Sequence, residues 1–302
     1  DPAEQNRYLT AQLRDYHAQG YAYEQMAILF RTNLGIRFVM DALMKGGIPF
    51  HMKDAIPNLF AHWISLDIIA YLRLVSGTGN TRANWLRIMN RPNRYIKREA
   101  LAPFTSDISV AQLKAYYQDK DWMLERLDRL EYDLSIMKRM SPYAAIHYLS
   151  NAMKYQDYLK DYAKEHHINE QELLDVLNAV HESSQSCRTF AEWFTYIDTY
   201  TEELQKQAKS PASKDANNES GVCLCTLHCA KGLEYPIVFI PDINEDNIPH
   251  ARAAVDADLE EERRLFYVGI TRAKEHLHLY CVGEASGKEK FPSRFLEELN
   301  EM

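Results

Sequence analysis

Residues 26–52 read MAILFRTNLGIRFVMDALMKGGIPFHM, and the fold class turns on them. MAILF is an apolar run of strand length with no polar residue to face water, as a fully buried strand requires. IRFVMDALMK then spaces its apolar residues for one face of a helix until Gly46 and Gly47 stop it, and IPFHM is a second short apolar run. Strand, helix, glycine stop and strand in so short a stretch predict a βαβ unit and a parallel sheet.

Upstream, the chain reads as helix up to Gly20; downstream, WISLDIIAYLRLV (63–75) is apolar at helical spacing and GTGN (77–80) breaks it. No glycine occurs between Gly79 and Gly221, and stretches such as EQELLDVLNAVHESS and TFAEWFTYIDTYTEEL are amphipathic helices, so the middle of the chain is an all-α block. KQAKSPASKDANNESG (206–221) is polar and rich in Ser, Asn and Pro and reads as a linker. Then VCLCT (222–226) and PIVFIPDI (236–243) are strand runs, EEERRLFYVGITRA (260–273) a helix and HLHLYCV (276–282) a strand. The two α/β segments have too few strands to close separate cores. The order therefore predicts one α/β domain carrying a helical insertion, with boundaries at 1–97, 98–214 and 215–302.

The 302 residues carry 35 basic and 43 acidic side chains, a net charge of −8, which as a whole disfavours a nucleic-acid-coating protein. The distribution differs: residues 68–98 hold Arg73, Arg82, Arg87, Arg91, Arg94, Lys97 and Arg98 and no acid. That stretch is either a phosphate footprint or a solvated face that docks on an acidic neighbour. No apolar run approaches the ~20 residues of a membrane helix. The start, DPAEQNRYLT, has no signal-peptide character and no initiator Met, as expected for part of a longer protein. Five cysteines in a chain this long make no disulfide framework and suit a reducing, cytoplasmic setting. Cys223, Cys225 and Cys229 form C-x-C-x3-C, but the first two alternate along a strand and are expected to pack there as small hydrophobes, with no metal site.

Three strings matter together: AILFRTN (27–33), TLHCAKGLEYPIVFIPDI (226–243) and EEERRLFYVGITRAKE (260–275). In this order, with a helical block between the first two, they resemble motifs IV, V and VI of the UvrD/Rep/PcrA-type superfamily 1 DNA helicases. The resemblance covers most of the chain and is most specific at its ends. It implies a P-loop NTPase-type, RecA-like domain (2A) holding a helical insertion (2B). The phosphate-binding signature G-x-x-x-x-G-K-[ST] does not occur in these residues. The resemblance thus implies that ATP with Mg2+ is held mainly by another, amino-terminal RecA-like domain of the same protein, and that this chain alone is inactive.

Phe30 and Arg31 end a strand, where open α/β sheets place ligand contacts. An aromatic face stacks on a base, and a guanidinium forks onto phosphate oxygens; the resemblance implies those roles for them, the alternative being a core Phe30 and a surface Arg31. Arg272 has the place of an arginine finger stabilising charge in phosphoryl transfer, against a structural ion pair. The resemblance also implies nucleotide contacts at Lys231, Gly232 and Glu234, the last to the ribose. Single-stranded DNA contacts fall on Asn90, Thr226, His228 and His250, to which the basic stretch adds Arg87 and Arg94. Phe291 stands near a further aromatic DNA contact of relatives. Glu261, Glu262, Arg263 and Arg264 are expected to form ion pairs on a helix surface. Relatives follow N-x-P-x-R with Gly-Ile-Gly, whereas this chain has Tyr95-Ile96-Lys97, which puts duplex binding by the insertion in question.

The implied function is the carboxy-terminal half of an ATP-dependent, 3′–5′ DNA helicase or translocase acting in DNA repair. Its partners would be single-stranded DNA, DNA junctions and repair or recombination proteins. The alternatives are a fragment of an AddA- or RecB-type helicase–nuclease subunit and a non-catalytic interaction module.

Overall fold

The computed structural model describes residues 1–53, 57–79, 81–105, 107–209, 221–251, 253, 256–285 and 288–300. They form two compact units, one from Asp1–Pro57 with Leu204–Met302, the other from Asn58–Glu203.

The first unit opens with α1 (Pro2–Ala18), started by Pro at its first turn and by the Asp1 carboxylate, which accepts the Glu4 amide at 2.8 Å. β1 (Met26–Phe30) is buried throughout, as its sequence demands. α2 (Asn33–Gly46) ends where Gly47 takes a left-handed φ of 63°, a conformation glycine adopts without a Cβ clash, and β2 (Phe50–Met52) follows. After the second unit come β3 (Val222–Thr226), β4 (Tyr235–Ile240), α11 (Asp256–Ile270), β5 (Ala273–Leu279), the short antiparallel pair β6 (Glu284–Ala285) and β7 (Lys288–Glu289), and α12 (Arg294–Asn300).

The five long strands are all parallel, in the order β2-β3-β1-β4-β5, with β1 central. Alternation splits their side chains between two faces. Ala27, Leu29, Cys223, Cys225, Val238 and Ile240 share a core with Leu265 and Phe266 of α11 and Phe295 of α12. Cys223 and Cys225 are thus fully buried packing residues, and Cys229 is exposed. On the other face, Phe239 meets Tyr16 of α1, whose hydroxyl lies 2.8 Å from His278 Nε2.

The second unit is helical: α3 (Trp63–Ser76), α4 (Thr81–Ile88), α5 (Val110–Tyr116), α6 (Asp121–Met137), α7 (Pro142–Asn151), α8 (Tyr155–His166), α9 (Glu170–Ser183) and most of α10 (Phe190–Lys209). Side-chain caps start several of these helices, with Ser109, Ser141 and Asn169 accepting amides of the first turn. α3 is buried nearly all round and contacts α4, α6, α7 and α9. It therefore packs as the centre of the helical unit, and the contact boundary falls at 57/58, before the 97/98 boundary read from the sequence. A helix apolar on every side needs cover on every side, and here the surrounding helices give it. α10 runs to Lys209, so residues 206–209 of the expected linker are helical; residues 210–220 lie outside the described residues.

Candidate nucleotide and nucleic-acid contacts

The parallel sheet has two edges, and the structure sorts the expected residues between them. At the amino-terminal edge, Arg272 lies between α11 and β5. Its Nε donates to the Val268 carbonyl at 2.9 Å, Nη1 to the Leu233 carbonyl at 3.0 Å and Nη2 to Thr271 Oγ1 at 2.9 Å. The Arg272 carbonyl in turn accepts the Tyr235 amide at 2.9 Å, closing the start of β4 on the start of β5. All three guanidinium bonds go to neutral oxygens, and among the described residues no carboxylate pairs with Arg272. Its charge is oriented but not cancelled. Glu234 stands at the same edge, paired with Lys274 at 3.1 Å with both side chains more than half exposed. Such a pair is weak and exchangeable. The turn before it brings Gly232 to φ 86°, with open space where a Cβ would stand, and Lys231 exposed beside it.

At the carboxyl edge lie Phe30, Arg31 and Thr226, the last two strand residues aligned as Cα partners being Phe30 and Thr226. Phe30 does not present a stacking face: it is 2% exposed, and its ring fills the space beside Gly35. Arg31, one residue on, points to the opposite face of the sheet and is held by Glu262 of α11. Its Nε lies 2.9 Å from Oε2 and its Nη2 2.6 Å from Oε1. The same Glu262 carboxylate accepts the His250 backbone amide at 3.1 Å. Burial alone pushes the Glu262 carboxyl up, but the Arg31 hydrogen bonds and the His250 amide outweigh it and hold it below the ordinary glutamate value.

One correction follows. Glu262 is not a surface ion-pair residue, although its neighbours are: Glu261 pairs with Arg264 on the exposed side of α11, and Arg263 with Glu260 and with Glu298 of α12. Arg31 and Arg272 stand at opposite edges of the sheet. β4, six residues long, separates the levels at which they stand, roughly 20 Å at 3.3 Å per residue. Glu262 was legible in α11 itself, since it lies on the helical face of the buried Leu265, Phe266 and Gly269.

Thr226 and the exposed His228 open the turn after β3, where Thr226 Oγ1 accepts the Cys229 amide at 3.4 Å and its carbonyl accepts the Ala230 amide at 3.0 Å. His250 is half-buried, its backbone fixed by Glu262 as above. Phe291 is exposed, while its carbonyl accepts the Glu245 amide at 3.0 Å.

In the helical unit, Arg87 and Arg91 both reach the fully buried Asp67, at 3.1 and 2.8 Å, and the Tyr155 hydroxyl donates to its other oxygen at 2.9 Å. Burial pushes the Asp67 carboxyl up, opposed by Arg91, Tyr155 and Arg87. Two cations thus meet one carboxylate, beside an open cavity of about 470 Å³ lined by Arg87, Asn90, Arg91 and Tyr158. Asn90 does not offer a free amide there. Its Oδ1 accepts the Arg94 and Ile96 amides at 3.3 and 2.9 Å, and its Nδ2 donates to the Ile96 carbonyl at 2.9 Å, so it buckles the 90–96 loop. Arg94, like Arg272, is held by carbonyls, those of Ile88 and Pro92, with its guanidinium over the Tyr71 ring. Asp67 escaped the sequence reading because an acid one residue outside the basic stretch gives no sign of which cations it will anchor.

The chain thus joins a parallel α/β unit, with an oriented and uncompensated arginine at one sheet edge, to a helical unit. The chain belongs to the UvrD-like helicase C-terminal domain family, whose model matches residues 2–283. It is similar to YjcD of Bacillus subtilis (strain 168), 28% identical over 99% of this chain and 39% of that protein. It is similar also to the ATP-dependent DNA helicases PcrA of Staphylococcus epidermidis (strain ATCC 35984), 28% identical over 97% of this chain and 42% of that protein, and of Bacillus subtilis (strain 168), 29% identical over 91% and 39%. The chain thus spans about two fifths of the length of these curated relatives.

Proposed function

We propose that the chain is the carboxy-terminal half of an ATP-dependent DNA helicase or translocase, moving 3′ to 5′. In this reading the parallel-sheet unit is the RecA-like domain 2A and the helical unit is the 2B insertion. The observation that carries it is Arg272, a guanidinium fixed by three neutral oxygens at the mouth of the Gly232–Glu234 turn. An arginine so held keeps its full charge for an anion. It fits ATP held, with its Mg2+, mainly by an amino-terminal domain of the same protein. Arg272 would then steady charge on the transferring phosphoryl group, Gly232 and Lys231 would receive phosphate, and Glu234 would exchange Lys274 for the ribose. Thr226, His228 and His250, toward the opposite edge, would follow single-stranded DNA, with Arg87 and Arg94 adding phosphate contacts from the helical unit. Repair or recombination proteins would be its partners.

The test uses the full-length protein. Arg272→Ala should lower DNA-stimulated ATP turnover by roughly 10³-fold, the scale of a lost arginine finger. Nucleotide affinity should fall far less, and single-stranded DNA affinity without nucleotide should not change. A loss of turnover of only a few-fold would make Arg272 a residue that merely closes β4 on β5.

A further inference from the structure

On the helical unit, the guanidinium of Arg126 lies 5.0 Å from the ring centroid of Tyr95 and 5.2 Å from that of Trp122. Both rings face solvent, Tyr95 at 59% and Trp122 at 52% exposure. We propose that this cluster is a stacking platform for unpaired bases of single-stranded DNA. The proposal rests on the DNA-translocase reading above and adds base stacking to the helical unit's proposed phosphate contacts.

Tyr95 is not exposed by neglect. Its φ is 61°, the left-handed region that disfavours any side chain with a Cβ. The loop around it is fixed at every step. Asn93 Oδ1 accepts the Tyr95 amide at 3.1 Å, Asn90 grips Arg94 and Ile96, and the Lys97 amide donates to the Tyr117 hydroxyl at 2.7 Å. Ile96, 2% exposed, anchors the loop below. A loop needing only its turn would be better served by glycine at this position. Here the backbone is held so that an aromatic ring stands outward. Trp122 lies one helical turn before Arg126 on α6, so the two share a face.

Charge selects the occupant. Arg94, Lys97 and Arg98 flank Tyr95 in the acid-free stretch 68–98. Arg126 pairs with no carboxylate among the described residues. Of the acids on α6, Asp128 and Glu131 are taken by Lys114, and Asp133 by Arg129 and Tyr148, while Asp121 and Glu125, beside Trp122 and Arg126 in sequence, form no ion pair among the described residues. Exposed rings beside unneutralised cations match a strand that offers bare base faces and phosphates together. A duplex hides its base faces in its own stack.

The experiment follows tryptophan emission of the 302-residue chain on titration with a thymidine oligonucleotide, the matching duplex and a polyanion without bases. Trp85 and Trp193 are buried, and Trp122 is the most exposed of the four tryptophans, so bases stacking on it quench its emission. The single strand should quench, and the duplex and the polyanion should not. Tyr95→Gly and Arg126→Ala should each weaken single-strand affinity about tenfold, the scale of one lost base stack. Tyr95→Gly relaxes the backbone, so its melting temperature should be equal or higher, which separates a lost contact from a lost fold. Unchanged single-strand affinity in Tyr95→Gly, or equal quenching by duplex, overturns the proposal while leaving the helicase reading in place. A wild-type chain that binds no DNA of either kind overturns both.

Discussion

Arg31 shows how a correct local reading can miss its partner. Strand alternation puts Phe30 and Arg31 on opposite faces of the sheet, and that much is written in the sequence. What the sequence does not write is that α11 returns across one face with Glu262 turned inward, so the guanidinium meets a carboxylate. Arg31 and Glu262 are 17% and 11% exposed as side chains, so removing one partner leaves a nearly buried charge alone. Glu262→Gln should therefore cost about 3 kcal/mol at neutral pH, and Arg31→Ala should act through stability more than through turnover. The carboxyl's folded value lies below 4.5 because of Arg31 and the His250 amide. A depressed carboxyl contributes its stability above its unfolded value and loses it as pH falls through the folded one. Urea unfolding should thus show a wide gap between wild type and Glu262→Gln near neutrality that closes as pH falls below the ordinary glutamate range. A gap of constant width would mean that the charge of Glu262 contributes nothing. Arg31→Met with Glu262→Met should recover much of the loss.

At the scale of elements, α11 matters most. It leaves the carboxyl edge of the sheet, carries Glu262 past Arg31 and His250, and delivers Arg272 to the amino-terminal edge. Fifteen residues make a rod of about 22 Å at 1.5 Å per residue, so one rigid helix joins the proposed DNA edge to the proposed nucleotide edge. Its seat on the sheet depends on Gly269, where a Cβ would come within 2.4 Å of Leu227 Cδ2 and 3.2 Å of Ile240 Cδ1. Leu227 is fully buried between Thr226 and His228, so its side chain can yield only by repacking the core beneath the turn that carries them. Gly269→Ala should destabilise the chain by about 1–3 kcal/mol through overpacking. In the full-length protein it should also reduce DNA stimulation of ATP turnover more than basal turnover. Equal losses in both would show that the helix seat transmits nothing between the edges. The strands, α2 and the stop at Gly47 were legible because their periodicity and glycines are local signals. The seat of α11 was not, because it depends on contacts between residues some forty positions apart.

At the scale of the whole molecule, the helical unit occupies one uninterrupted stretch, Asn58–Glu203, and closes a core of its own with Trp85, Trp193, Tyr71, Tyr155 and Tyr200 fully buried. The sequence announced this block by its lack of glycine but assigned α3 elsewhere, since an all-round apolar helix suits a sheet or a bundle equally until its neighbours are known. The partners of its fully buried Asp67, namely Arg87, Arg91 and Tyr155, all lie inside the unit. Its length is that of an ordinary domain. Residues 58–203 expressed alone should therefore unfold cooperatively in urea, with near-ultraviolet dichroism from the buried tryptophans lost in the same transition as helicity. Tyr155→Phe removes one hydrogen bond to the buried Asp67 and should cost about 1–2 kcal/mol. If the unit is autonomous, that cost is the same in the excised unit and in the 302-residue chain, because a site that shares no partners with the rest of the molecule contributes independently of it. An excised unit that keeps helicity but loses near-ultraviolet signal and binds hydrophobic dyes would mean that its packing is completed by the parallel-sheet unit. The chain would then be one cooperative body rather than two.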